Sequence, residues 1–116
     1  MISMTPLSLR GGTAIGISVE LPQTHLVIAA TKTGYLMCGA LDVGLLDRLL
    51  GQRRVIAARA LGVRTINDLL DRPLESVTAE AGRVGLAPGM PGRQALEILL
   101  EAERLVGAGV QPPMHD

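Results

Sequence analysis

Gly34-Tyr35-Leu36-Met37-Cys38-Gly39-Ala40-Leu41-Asp42 is the stretch whose reading decides the fold. Its apolar first half reads as a short strand, Gly39 permits a tight turn, and Asp42 is a good helix N-cap. Val43, Leu45, Leu46, Leu49 and Leu50 then recur on one side of a helix that Gly51 can end. Arg53-Arg54 lead into Val55-Ile56-Ala57-Ala58-Arg59-Ala60, a β-branched and small-residue run that reads as a second strand. Strand, helix, strand makes a right-handed crossover, so 55–60 should lie parallel to 35–38 and beside it. Both carboxyl ends then open onto one edge, which brings Arg59, Arg64 and Thr65 within reach of Cys38.

Upstream, the sequence reads as an antiparallel meander. Met4 to Arg10 is a strand, Gly11-Gly12 a two-residue turn, and Thr13 to Leu21 a strand in which Ile15, Ile17, Val19 and Leu21 alternate with small or polar residues. That alternation predicts the four aliphatics as the core face. Pro22-Gln23-Thr24 turns the chain into His25 to Lys32, whose Leu26-Val27-Ile28-Ala29-Ala30 run predicts burial on both faces. Thr33-Gly34 is the third turn.

Downstream, the chain reads as helical. Thr65-Ile66-Asn67-Asp68 resembles a capping box with Asp in place of Glu, ahead of Leu69-Leu70. Pro73 suits the first turn of a second helix with Leu74, Val77, Ala81 and Val84 inward and Gly85 as its stop. After Pro88-Gly89-Met90-Pro91-Gly92, a last helix carries Ala95, Leu96, Ile98, Leu99, Ala102, Leu105 and Val106 inward, with Arg93, Glu97, Glu101 and Arg104 on the wet side. Arg93 and Glu97 have the spacing of an ion pair. The expected fold class is α+β: a mixed, mainly antiparallel sheet covered by C-terminal helices, as a single domain over 1–106 with a disordered tail over 107–116.

Composition narrows the function. The chain of 116 residues is 47% hydrophobic and 19% charged, with no Phe or Trp and a mean hydropathy of +0.34. Such a chain cannot easily hide all its aliphatic surface by itself, which predicts a homo-oligomer. Eleven basic and eleven acidic residues cancel, removing the electrostatic footprint of a general nucleic-acid or anionic-membrane binder. No apolar run approaches the ~20 residues of a membrane helix. One cysteine and no signal-peptide layout read as cytoplasmic. No Cys/His cluster offers a metal site, and no cofactor motif is present.

Cys38 is the candidate for chemistry. A thiol at a strand's carboxyl end can act as a nucleophile or sulfur carrier, assisted by the turn at Gly39 and by Arg59 or Arg64. Equally, it can be a small hydrophobe that packs. His25, read as lying near the opposite end of its strand, is poorly placed to complete a Cys-His-Asp42 set. Gly39, Arg59, Arg64 and Thr65 are candidates for an anion pocket at a helix start; their plain roles are capping and ion pairing. Residues 88–95 resemble a helix-hairpin-helix turn, but an extra residue separates the glycines and the preceding helix has no basic face. Two readings follow: a homo-oligomeric binding or regulatory module with an anion pocket near Cys38, Arg59 and Arg64, or a cysteine-dependent enzyme or sulfur carrier.

Residues 34–43, Arg59-Ala60-Leu61-Gly62-Val63-Arg64-Thr65-Ile66, Pro73-Leu74-Glu75-Ser76-Val77-Thr78 and Gly89-Met90-Pro91-Gly92-Arg93 together resemble the YunC-like family of bacterial and archaeal proteins. The resemblance implies a small domain of unknown function whose N-terminal β region is a tetramerisation region, and it assigns no catalytic residue. Pro91 stands where the family pattern has Ser, and the C-terminal tail extends beyond the family core.

Overall fold

The computed structural model describes residues 1–39, 48 and 54–107. The expected crossover helix with its Asp42 cap, and the expected tail beyond Gly107, lie outside the described residues. Six strands form one sheet in chain order: β1 (Ile2–Leu9), β2 (Gly12–Leu21), β3 (Thr24–Ala30), β4 (Gly34–Met37), β5 (Ile56–Arg59) and β6 (Ser76–Val77). All neighbours are antiparallel except β4 and β5, which run parallel as the crossover rule requires. The first turn is one residue earlier than expected, on Arg10-Gly11, because Gly12 already pairs with Leu9. Gly11 there has φ 94°, and Gln23 in the second turn has φ 58°.

Register divides the residues of the strands between two faces, since side chains alternate along a strand and directly paired residues share a side. Thr5, Gly16, Ala29, Leu36, Ala58 and Val77 form one row across all six strands. Met4, Ile17, Ile28, Met37, Arg59 and Ser76 form the adjacent row on the opposite face. The first row faces the core with Ala14, Val27 and Cys38. This corrects the expectation for β2: Ala14 and Gly16 are buried, whereas Ile15, Ile17 and Val19 are half-buried and Leu21 is exposed. The cause is steric. A Cβ at Gly16 would lie 3.1 Å from Ile66 Cδ1, so only small residues leave room for the helix above. In β3, likewise, Val27 and Ala29 are fully buried while Leu26, Ile28 and Ala30 are half-buried.

Helix α1 (Ile66–Asp71) starts as its sequence predicts: Thr65 Oγ1 accepts the Asp68 N–H at 3.1 Å. The Asp68 carboxylate reaches back to the Arg64 N–H at 3.1 Å, one residue before the usual capping-box donor. The helix expected from Pro73 begins only with α2 (Ala79–Arg83), capped by Thr78. Backbone pairing explains the difference. Leu74 N–H donates to Met90, Glu75 N–H to Arg59 and Thr78 N–H to Ala57, so this segment joins the sheet edge as β6. α2 ends in a Schellman arrangement, with Leu86 N–H on Ala81, Gly85 N–H on Gly82, and Gly85 at φ 112°.

Helix α3 (Gly92–Gly107) lays Ala95, Leu96, Leu99 and Leu100 on the core. Pro91 suits its start, because a missing N–H costs nothing there and its carbonyl accepts the Ala95 N–H. Two α3 carboxylates pin the helix to sheet turns. Glu97 accepts the Arg10 N–H at 3.1 Å, in place of the expected pair with Arg93. Glu103 accepts from Thr31 Oγ1 and Thr33 Oγ1, both at 2.5 Å, and from the Thr33 N–H at 3.0 Å.

Thr78 is the one polar residue buried to this degree, at 1% exposure among the described residues. Its hydroxyl donates to the Val55 carbonyl at 2.6 Å and accepts the Ala57 and Ala81 N–H groups, each at 3.2 Å. Thr78→Val keeps the shape and orphans these groups, so urea denaturation should show a loss of about 2–3 kcal/mol. Gly92→Ala should cost about 3 kcal/mol or more, since the new methyl would be driven into the Leu69 carbonyl oxygen. Wild-type-like midpoints for both variants would contradict this packing.

Candidate functional site

The parallel pair β4–β5 delivers Cys38 and Arg59 to neighbouring positions but to opposite faces. Cys38 follows Leu36 on the helix-facing side, is 5% exposed, and belongs to the core cluster. Its N–H donates to the Val27 carbonyl at 3.1 Å, which continues the β3–β4 ladder by one residue. Arg59 pairs with Met37 and therefore lies on the outer face. There its guanidinium forks onto Glu75, with Nε 3.0 Å and Nη2 2.6 Å from Oε1, and Nη2 3.2 Å from Oε2. This geometry commits Arg59 to a carboxylate away from the thiol.

Gly39, Arg64 and Thr65 are all exposed. Gly39 is exposed beside Leu61, whose Cδ2 would be 3.2 Å from a Cβ at position 39. Arg64 and Thr65 are exposed past the turn at Gly62. Of the N-terminal donors of α1 the Asp68 N–H is engaged by the Thr65 hydroxyl, and the Asp68 carboxylate, held on the Arg64 N–H, adds negative charge where an anion would sit.

His25 lies nearer Cys38 than the sequence indicated. Register pairs Ile28 with Met37, so Cys38 falls opposite Val27, and His25 is the next residue of β3 on that face. The expectation that it occupies the opposite end is thus corrected. Its Nε2 lies 2.6 Å from Ser18 Oγ on β2, in an exposed diagonal pair that no local spacing in the sequence revealed.

Among the described residues, grooves lie along α3. A groove of about 490 Å³ follows α3 past Val84, Met90, Ile98 and Leu105. A second, of about 390 Å³, is lined by Ile56, Val84, Ala102 and Val106. Cys38, Gly39, Arg59, Arg64 and Thr65 line neither. Among the described residues no group of three or more His, Cys, Asp or Glu side chains could hold a metal ion. No helix among them is long and apolar enough to cross a membrane.

Residues 37–99 match the family model described as Domain of unknown function (DUF1805). The chain belongs to this family. It is 49% identical over 96 residues to the uncharacterized protein YunC of Bacillus subtilis (strain 168), covering 83% of this chain and 95% of that protein. The crystal structure of a protein of unknown function from Thermoplasma acidophilum superimposes with a TM-score of 0.74 at 27% identity, covering 84% of this chain and 91% of that one. The matched region spans the strands and helices that carry Cys38, Arg59, Glu75, Thr78 and Gly92.

The Arg59–Glu75 pair gives the site its clearest electrostatic signature. Hydrogen bonding from Arg59 holds the Glu75 carboxyl below its ordinary value of 4.5. A lowered folded-state pKa contributes stability above the ordinary carboxylate range and loses it as pH falls through the folded value. Wild type should therefore exceed Arg59→Met in melting temperature at pH 7. The gap should close as the pH is taken below about 4, near the unfolded carboxylate pKa. A pH-independent gap would mean that Arg59 acts through packing alone.

Proposed function

We propose that this protein is a homo-oligomeric binding or regulatory module whose copies associate through the outer face of the sheet. One observation carries the reading. On that face Ile2, Met4 and Leu21 are 68%, 67% and 51% exposed, beside half-buried Ile15, Ile17, Val19, Leu26 and Ile28. A contiguous aliphatic face of this kind, with Arg59 at its β5 end, supports a role as a contact surface. The family resemblance supports the same region, since it implies tetramerisation through the N-terminal strands. The ligand part of the reading rests on the Gly39, Arg64 and Thr65 edge, where the exposed Arg64 guanidinium is the group available to a small anion.

Light scattering at micromolar concentration should report a multimer, with a tetramer the form that the resemblance implies. Ile17→Lys places a charge in the central Met4, Ile17, Ile28, Met37 row and should reduce the assembly to monomers without unfolding them. A wild-type monomer, or an Ile17→Lys protein of unchanged mass, would overturn the proposal.

The second reading, cysteine chemistry, is favoured by one observation: His25 shares a sheet face and end with Cys38. It requires an accessible thiol, because the thiolate is the attacking species. Against it, Cys38 is 5% exposed and its neighbours are apolar. Native Cys38 should therefore react with iodoacetamide at least about 100-fold more slowly than the unfolded chain, as expected of a structural buried thiol. Rapid native alkylation that slows in His25→Ala would instead establish the cysteine reading.

A further inference from the structure

The free edge of β1 carries a second instruction about how copies meet. β1 and the two-residue β6 are the outermost strands of the sheet. At eight residues, Ile-Ser-Met-Thr-Pro-Leu-Ser-Leu, β1 is long and has no charged side chain. Such an edge is a template for another strand unless something blocks it, and natural sheets block theirs with short strands, charges, bulges or proline. β6 is short; β1 has proline alone.

The hydrogen-bond phase shows which way Pro6 is turned. Met1 and Glu20 exchange both bonds: the Glu20 N–H donates to the Met1 carbonyl at 2.8 Å, and the Met1 amine to the Glu20 carbonyl at 2.9 Å. Opposed residues in an antiparallel ladder alternate between bonded and non-bonded pairs. With the register Ile2↔Val19 through Leu9↔Gly12, Ser3, Thr5, Leu7 and Leu9 turn their backbone groups to β2. Ile2, Met4, Pro6 and Ser8 turn theirs to the open side. Pro6 thus removes the donor at the middle of the free edge, and its ring fills the place an incoming carbonyl would take.

We propose that Pro6 is the residue that keeps β1 closed to strand addition by a second copy of this chain, so that copies associate through the sheet face and not by extending the sheet. The face contact is the reading proposed above; the closure of the edge stands independently of it. Closure matters because an open β1 edge would add a second self-complementary contact to that of the face, and a copy with two such contacts need not form a closed assembly.

Two measurements test this. In the native protein the amides of Ile2, Met4 and Ser8 should exchange with solvent at least about 100-fold faster than those of Ser3, Thr5 and Leu7, the difference between open and paired backbone. Protection of Ile2 and Met4 would mean that a strand occupies the edge and would overturn the proposal. Pro6→Thr restores the donor and removes the ring; it should form species that grow with concentration and bind thioflavin T. Pro6→Thr combined with Thr5→Lys should return to the wild-type mass, since a lysine on the edge blocks pairing again and Thr5 is exposed on the side turned away from the proposed contact face. A Pro6→Thr protein with native circular dichroism and wild-type mass at every concentration would also overturn the proposal. Should wild type prove monomeric, the face reading fails by itself, and growth of Pro6→Thr from monomers still supports closure of the edge. If Pro6→Thr does not fold, the exchange pattern of the native protein decides.

Discussion

The close approach of α1 and α3 to the sheet is the constraint on which the rest of this fold depends. It is possible only because the strands turn Ala14, Gly16, Ala29 and Ala58 toward the helices. One methyl at Gly16 would already press on Ile66, and one at Gly92 would run into the backbone of Leu69. Small strand residues bury little apolar area each, at roughly 25 cal/mol per Å². The bulk of the core therefore comes from the other layer, through Leu69, Leu70, Leu96 and Leu99, with Leu36 as the large strand residue. The core is asymmetric: small from the sheet, large from the helices.

That asymmetry also determines the outer surface. With a period of two, placing the small residues of β2 inward sends Ile15, Ile17 and Val19 outward, and a slip of one residue would exchange the two sets. Turn geometry holds the register. Gly11 and Gln23 take positive φ in the two hairpins, and the Met1–Glu20 exchange closes the first ladder. Core packing and the aliphatic outer face are thus two readings of one alternation, and Arg59 sits at the end of the aliphatic outer row.

The order of β1 to β5, the parallel β4–β5 pair and the capping of α1 were legible in the sequence, because turns, caps and crossovers are local or obey strong chirality rules. The facing of β2 was not. Alternation reveals that Ile15 and Ile17 share a side, but not which side the helices take, and that was settled by steric room at Gly16. Residues 73–78 were misread for a related reason: Leu74 and Val77 have helical spacing, yet their backbone is claimed by Met90, Arg59 and Ala57 from elsewhere in the chain. At the candidate site, sequence placed Cys38 and Arg59 side by side but could not show that alternation turns them apart. Glu75, the partner of Arg59, lies sixteen residues away, beyond any local pattern.

Two of the stretches that carry the family likeness, 73–78 and 89–93, form one backbone clasp. Leu74 N–H meets the Met90 carbonyl, Gly89 N–H the Leu74 carbonyl, and Gly92 N–H the Arg72 carbonyl. This joins the end of α1 to the start of α3. Thr78 ties the same segment to β5 through the Ala57 N–H and the Val55 carbonyl, and Arg59 ties it again through Glu75. Pro73, Thr78 and Gly92 are therefore explained by pairing, capping and close approach, with no ligand needed to account for them. Arg64 is different: its exposed side chain makes no hydrogen bond or ion pair among the described residues, while its backbone N–H serves the cap of α1. The exposed Arg64 and the aliphatic face that the packing of the core turns outward are thus features that pairing, capping and close approach leave unexplained.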